Sequence, residues 1–366
     1  MDSTTENKAE GNGNVYTLSS DSGLEEVVQA KKTAIKVLGA GGAGNNTINR
    51  LMEVGIDGAE CIAVNTDAQD LLYTEADQKV LIGKDVTGGL GAGSNPDLGM
   101  EAAKEDEKEL KELIKGSDLV FVTCGLGGGT GTGSLPVLSE FAKKEKALTI
   151  GIVTMPFSIE GAVRWENAQA GLKQLREHTD TVIVIPNDKL LEIVPELPLN
   201  AAFKVADEVL VNAVKGITEL VTKEGLVNLD FADIRTIMRD GGTAMIGLGE
   251  SDTDDRARDA VEKALSNPLL DVDITGATGA LINVIGGPDM SLQDARIVME
   301  TVSDKLDPNA KIIWGSRIDP DFQNTLRAML VITGLKPQQQ VLGPETSEEK
   351  KVYKSKMEKE YGIEFL

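Results

Sequence analysis

The stretch that decides the fold is Cys124 to Ser134, C-G-L-G-G-G-T-G-T-G-S, set between Leu119-Val120-Phe121-Val122 and Leu135-Pro136-Val137-Leu138. An apolar run, a glycine loop and a second apolar run read as strand, loop and helix. Six glycines fall within residues 125–133. Glycine loses more conformational entropy on folding than other residues and gives a core no side chain, but it lets the backbone bend tightly and approach another molecule. The amides of such a loop, with the unpaired N–H groups and roughly half a positive charge at the start of the next helix, form a cradle for a phosphate chain. The hydroxyls of Thr130, Thr132 and Ser134 add donors. A flexible linker shares this composition, yet linkers are not usually wedged between a buried strand and an amphipathic helix.

Working outward, the same unit recurs. Ala34 to Leu38 is a short apolar run, followed by Gly39-Ala40-Gly41-Gly42-Ala43-Gly44-Asn45-Asn46 and then Ile48, Leu51 and Met52 at helical spacing. Gly39, Gly41 and Gly44 match the dinucleotide pattern G-x-G-x-x-G, with Glu60 near the distance of a ribose-binding acid. A nicotinamide-dependent dehydrogenase is therefore the rival reading, but it needs one such loop and leaves the Thr-Gly loop unexplained. A third glycine-rich stretch, Gly88 to Pro96, precedes a charged helix from about Asp97 to Lys115. No G-x-x-x-x-G-K-[ST] occurs, so backbone amides would have to hold most of the phosphate.

Polar residues close other apolar runs, where open α/β sheets bind ligands. Asn65-Thr66-Asp67 follows Cys61 to Val64, and Pro186-Asn187-Asp188 follows Thr181 to Ile185. Leu148 to Met155 is a further strand, after which Pro156 to Arg164 opens a helix running to about His178. Glu160 and Arg164 stand four apart, the spacing of a surface ion pair. His178 falls in a last turn, where a cation is favoured by the helix dipole. From about Asn200 to Thr222 the pattern is a long helix, apolar around more than half its girth and so buried between two bodies. Phe203 and Asp207 share one of its faces, either as a core ring beside a solvated acid or as a base-stacking ring beside an amide-binding carboxylate. Asp230 and Asp233 suit the N-cap and N3 positions of a helix ending near Arg239.

Length suggests roughly two domains. The 37 basic and 59 acidic residues give a net charge of −22, which argues against nucleic acid or an anionic membrane as a partner of the whole surface. Cys61 and Cys124, each beside an apolar strand, read as small hydrophobes rather than disulfide or metal ligands. No apolar run reaches the roughly 18 residues of a membrane span, and a cytoplasmic protein is expected. The expected fold class is α/β, a Rossmann-like parallel-sheet domain with a long central helix and a second, smaller α+β domain. The expected boundaries are a disordered tail over 1–32, a nucleotide domain over 33–200, the central helix over 201–224, the α+β domain over 225–335 and a tail over 336–366.

Taken together, G-G-G-T-G-T-G, N-T-D, G-A-G-S-N-P, M-P-F-x-x-E-G-x-x-R, P-N-D and N-L-D-F-A-D, in this order from about Thr33 to Leu335, resemble the FtsZ family of tubulin-related cell-division GTPases. The resemblance implies GTP or GDP as ligand, with Mg²⁺ held by phosphates and water rather than by a side chain. It implies phosphate contacts from Gly41, Gly42, Ala43, Gly44, Asn45 and Asn46, from Ala92, Gly93 and Ser94, and from Gly128, Gly129, Thr130, Gly131, Thr132 and Gly133. Thr66 and Asp67 join this site. Glu160 would meet the ribose, Arg164 a phosphate, and Asn187, Phe203 and Asp207 the guanine. Asn228, Asp230 and Asp233 would complete the site of a neighbouring copy in a head-to-tail homopolymer. Membrane-tethering or division proteins would dock on the C-terminal tail, with the protein concentrated at mid-cell; the last residues do not obviously match the bacterial partner-binding peptide. A non-hydrolysing nucleotide-binding scaffold is the other alternative, against which intact Asp230 and Asp233 argue.

Overall fold

The computed structural model describes residues 33–193, 199–223, 225–227, 229–270, 274 and 277–335. Both expected tails and Asn228 lie outside them.

The first half alternates strand and helix. β1 (Ile35–Ala40), α1 (Gly41–Val54), β2 (Ala59–Asn65), α2 (Ala68–Tyr73), β3 (Gln78–Leu81), α3 (Lys84–Thr87), α4 (Pro96–Glu105), α5 (Glu107–Ile114), β4 (Leu119–Gly125), α6 (Thr130–Lys144), β5 (Leu148–Met155), α7 (Ala162–His178), β6 (Thr181–Pro186) and α8 (Asn187–Ile193) follow in order. The long α9 (Leu199–Thr222) and the short α10 (Phe231–Met238) lead into β7 (Gly242–Ser251), α11 (Arg256–Leu265), β8 (Gly279–Gly286), α12 (Leu292–Ser303), β9 (Lys311–Ile318) and β10 (Leu326–Thr333). The strands form one ten-stranded sheet in the order β3-β2-β1-β4-β5-β6-β7-β10-β8-β9. From β3 to β6 every pairing is parallel. The order turns back between β1 and β4, the switch point where α/β sheets open a crevice at their carboxyl ends. β6 also pairs in parallel with β7, so the sheet runs on into the second half, where β10 is antiparallel to both β7 and β8.

Side chains alternate across this sheet because successive strand residues point to opposite faces. Leu119 and Phe121 of β4 join a core with α9, whereas Val120, Val122 and Cys124 join another with α6. The α9 core also takes in Leu281 of β8 and Met329 and Val331 of β10. Helix α9 is therefore covered by both halves, as its apolar girth predicts.

Three expectations change. The charged helix of about 97–115 is two, α4 and α5, broken at Asp106. The Asp106 carboxylate accepts the Gly83 N–H at 2.7 Å, a long-range bond that a helical pattern cannot reveal. The helix expected to open in the Pro156 stretch begins as a 3-10 turn, Ser158–Glu160, with Gly161 at φ 97° before α7. Ser134 does not extend the donor set: its buried hydroxyl donates to the Thr130 carbonyl at 2.7 Å. Cys61 and Cys124 are buried and unbridged. Burial, with the negative charges of Asp77 and Glu60, pushes the Cys61 thiol up to about 12, and burial alone pushes Cys124 up as well, so neither is a nucleophile.

Candidate nucleotide site

The loops after β1, β2, β4, β5 and β6 all leave the same edge of the parallel sheet. Two of them feed helices whose first N–H groups have no partner inside the helix. For α6 the free donors end at Thr132, because the Gly133 N–H already bonds the Gly129 carbonyl at 3.0 Å. The amides left free at the start of α6 are thus those of Gly129 to Thr132, and Gly133, expected among the phosphate contacts, has no free N–H to offer. By the same rule α1 offers the amides of Gly41, Gly42 and Ala43, leaving side chains as what Asn45 and Asn46 can contribute. Gly42, Ala43 and Asn46 are exposed, whereas Gly44 and Asn45 are buried.

The two glycine loops touch directly. Gly41 has φ +69°, and a Cβ there would lie 2.9 Å from the Gly131 nitrogen, so only glycine lets α1 and α6 present their N-termini side by side. The β2 turn is fastened to them by a hydroxyl pair, Thr66 Oγ1 and Thr130 Oγ1 at 2.6 Å. Thr132 Oγ1, also buried, accepts the Gly127 N–H at 2.9 Å, closing the loop on itself. Asp67 caps α2, accepting from the N–H groups of Gln69 and Asp70. Ala92 is buried, and Gly93 and Ser94 are exposed on the third glycine stretch, with the Ser94 carbonyl accepting from Asn167 Nδ2 of α7 at 3.3 Å.

Helix α7 brings Arg164 in from the other side. Gly127, at φ +102°, presses on it: a Cβ there would stand 2.6 Å from the Arg164 carbonyl oxygen. The Arg164 Nε lies 3.2 Å from Glu160 Oε2. Glu160 Oε1 accepts the Phe157 N–H at 2.8 Å, so the acid both pairs with Arg164 and closes the 3-10 turn. Phe157 is buried at the end of β5, and Phe203 of α9 meets it edge-to-face at 5.1 Å. This places the first turns of α9 at the loop edge. One turn on, burial raises the Asp207 carboxyl to about 6. Asn187, 4% exposed where β6 becomes α8, has a buried Oδ1 with no partner in the protein. A half-exposed ring, a desolvated carboxylate and an unpaired amide oxygen suit a planar base with N–H groups to donate.

The opposite end of α9 lies at the amino edge of the sheet. Lys223, just beyond it, pairs with Asp57 at 3.0 Å, next to the start of β2. The following chain is held to β9, Leu226 N–H donating to the Ser316 carbonyl at 2.9 Å. Asp230 is the N-cap of α10, accepting the Asp233 N–H at 3.0 Å, as its position in the sequence predicts. The end of α10 meets the start of β6, where Thr181 Oγ1 donates to the Met238 carbonyl. Among the described residues, no group of three or more His, Cys, Asp or Glu side chains gathers to hold a metal.

Comparison with known proteins decides between the readings. A Tubulin/FtsZ family GTPase-domain model matches residues 34–195, and an FtsZ family C-terminal domain model matches residues 242–336. Over 315 residues the chain is 61% identical to cell division protein FtsZ 1 of Methanocaldococcus jannaschii, covering 86% of each. It is 58% identical over 341 residues to FtsZ 1 of Archaeoglobus fulgidus, covering 93% of this chain and 90% of that one. The chain belongs to the tubulin/FtsZ family. A solved structure described as an empty FtsZ dimer from M. jannaschii has the same fold, with a TM-score of 0.83 at 61% identity, covering 86% of this chain and 92% of that one.

The family is one of GTPases, so the chain's ligand is GTP or GDP and its reaction is GTP hydrolysis. The dehydrogenase reading falls, and Glu60 shows why on geometry alone. It sits at the amino end of β2, away from the crevice, paired with Lys36 at 2.9 Å. The Tubulin/FtsZ GTPase-domain match, over residues 34–195, also spans the third glycine stretch.

Proposed function

We propose that this GTPase assembles head-to-tail with copies of itself and hydrolyses GTP where two copies meet, as a filament-forming protein of cell division at mid-cell. One copy supplies the cradle: the loop amides of Gly41 to Ala43, Ala92 to Ser94 and Gly128 to Thr132, with Asn45, Asn46, Thr66, Asp67 and Arg164 around them. Glu160 meets the ribose, and Asn187, Phe203 and Asp207 read the guanine. The next copy supplies Asp230 and Asp233, with Asn228, to orient or polarise the attacking water. Mg²⁺ fits such a site as an ion held by phosphate oxygens and water, where it would offset phosphate charge. The expected boundaries of the domains fit this division of labour, with the C-terminal tail as the segment for tethering partners.

The observation that carries the reading is the separation of the two acids from the loops. Helix α9 has 24 residues, and at 1.5 Å per residue it spans roughly 36 Å. Its beginning touches the β5 loop through Phe203, and its end lies beside Asp57 at the other edge of the sheet. Asp230 and Asp233 follow that far end, out of hydrogen-bond reach of their own cradle. Stacking one copy on the next removes the separation, and a contact of unlike surfaces does not close on itself, so it generates a filament.

Phosphate release per molecule is expected to fall steeply below a threshold protein concentration. Asp233→Ala should bind GTP but turn it over slowly, and mixing it with Arg164→Ala should recover activity, because one junction in the mixture joins an intact cradle to intact acids. A rate per molecule that stays constant at high dilution would overturn the shared site.

A further inference from the structure

One carboxylate beneath the cradle belongs to no motif. Asp70, in α2, accepts from Asn45 Nδ2 at 2.8 Å and from Asn65 Nδ2 at 2.6 Å, both on the same oxygen, Oδ2. Asn45 is 1% exposed and Asn65 3%, so neither amide can turn to water instead. A carboxylate accepts and does not donate, which fixes each amide with its nitrogen toward Asp70. At Asn65 the oxygen must then face the other way, where it accepts the N–H of Thr66 at 2.8 Å and of Asp67 at 3.3 Å. That bond sets the turn after β2, and the turn presents Thr66 Oγ1 to Thr130 at the first residue of α6. At Asn45 the same constraint leaves Oδ1 buried without a partner in the protein. Gly42, an exposed residue of the first loop, stands over the carboxylate: a Cβ there would lie 4.0 Å from Asp70 Oδ2.

We propose that Asp70 is a positioning residue for nucleotide binding, whose carboxylate holds the first glycine loop, the β2 turn and, through Thr66 and Thr130, the second glycine loop as one preformed cradle. The proposal rests on these loops being the nucleotide site. It follows from what each loop would otherwise do. The loops leave three different strands and two of them are rich in glycine, so without a common anchor their amides would be ordered only by the phosphate, and binding would bear that entropy. Asp70 orders them in advance. It does so from beneath, as an acceptor for side-chain amides, leaving the backbone N–H groups free for the ligand. A negative charge near phosphates is otherwise unhelpful, so charge and geometry can be separated by substitution. Asp70→Asn keeps a carbonyl oxygen with two lone pairs for the two amides and removes the charge, whereas Asp70→Ala removes the acceptor.

The test is GDP affinity of the full chain by fluorescence titration, with the melting temperature in the absence of nucleotide as a control for folding. Asp70→Ala is expected to weaken GDP binding at least about tenfold, to raise KM for GTP in parallel, and to change kcat at saturating GTP less than about threefold. Asp70→Asn is expected to bind within about threefold of the parent. A residue that only supported the fold would lower the melting temperature of Asp70→Ala and leave the affinity of the folded protein alone. The proposal is overturned by a folded Asp70→Ala that binds GDP within twofold of the parent, or by Asp70→Asn binding as weakly as Asp70→Ala. If Asp70→Ala does not fold, Asp70→Glu keeps the charge and shifts the oxygens by one methylene; it should weaken binding at least threefold, and unchanged affinity there overturns the idea equally. Failure of the parent to bind GDP would instead remove the nucleotide reading on which the proposal stands.

Discussion

At the carboxyl edge of the parallel strands the groups offered to a ligand are mostly backbone amides, whereas at the amino edge and the far end of α9 they are charged side chains in pairs. Lys36 pairs with Glu60, Lys223 with Asp57 and Glu219, and Arg317 with Glu219 and Asp319. The contrast follows from what each edge has to do. In a chain of net charge −22, a phosphate chain can be held only where donors are concentrated and carboxylates kept from pointing in. Amides at helix N-termini meet that need without a lysine. The acids proposed to act on water cannot share that edge without repelling the phosphates, and the length of α9 keeps them apart until another copy arrives.

If the carboxyl edge is built of backbone, the change that breaks it most severely adds one methyl group. Gly41→Ala places a Cβ 2.9 Å from the Gly131 nitrogen at a residue with φ +69°. Left-handed backbone at a non-glycine residue costs about 1 kcal/mol, and the clash must shift one loop against the other. We expect at least about 3 kcal/mol of lost GTP binding, a factor of roughly 100 or more. Isothermal titration would check it, and affinity within tenfold of the parent would mean that the loops are not locked together at this point.

The amino edge should break differently, through stability rather than affinity. Glu219 is 6% exposed and takes Lys223 at 2.9 Å and Arg317 at 3.3 Å, joining the last turns of α9 to β9. Glu219→Ala leaves two partly buried cations without their shared acid, an expected loss of about 2 kcal/mol. Denaturant unfolding should show that loss with GDP affinity unchanged. A variant equally stable but impaired in nucleotide binding would erase the distinction between the edges.

How far these edges were legible in the sequence depends on how local the cause is. The strand, glycine loop and helix units were legible because glycine spacing and apolar periodicity are properties of a few neighbouring residues, and the Asp230 cap was legible for the same reason. The girth of α9 announced burial on two sides. By contrast, the break at Asp106 is set by Gly83, 23 residues away. Glu60 has the right spacing for a ribose contact but the wrong end of its strand, which spacing cannot distinguish. Ser134 looked like a donor because a helix was expected to start later than it does; one turn inside the helix its hydroxyl bonds back to Thr130. Asp70 carried no signal at all. Its two partners lie 25 and 5 residues away, and only the folded chain brings them to one oxygen.

One exception to the backbone rule at the carboxyl edge is Asp207, and its titration sharpens the comparison through the smallest of these effects. Burial alone raises its carboxyl to about 6 from an ordinary value near 3.8. For a raised acid the sign is that the folded, nucleotide-free protein prefers the protonated form. The stability this group contributes is therefore greatest below about pH 4 and is lost as pH rises through 6. The proposed guanine recognition runs the other way, because it is the carboxylate that would accept two N–H groups. Below pH 6 binding must first remove a proton, so GDP affinity should fall about tenfold between pH 7 and pH 5, or about 1.4 kcal/mol. The nucleotide's own phosphate titrates in the same range, and Asp207→Asn carries that contribution alone. Affinity is thus to be measured against pH for both proteins, the difference between the two curves belonging to Asp207. That difference should open below pH 6, and curves that stay parallel from pH 7 to pH 5 would mean that this carboxylate does not receive the base.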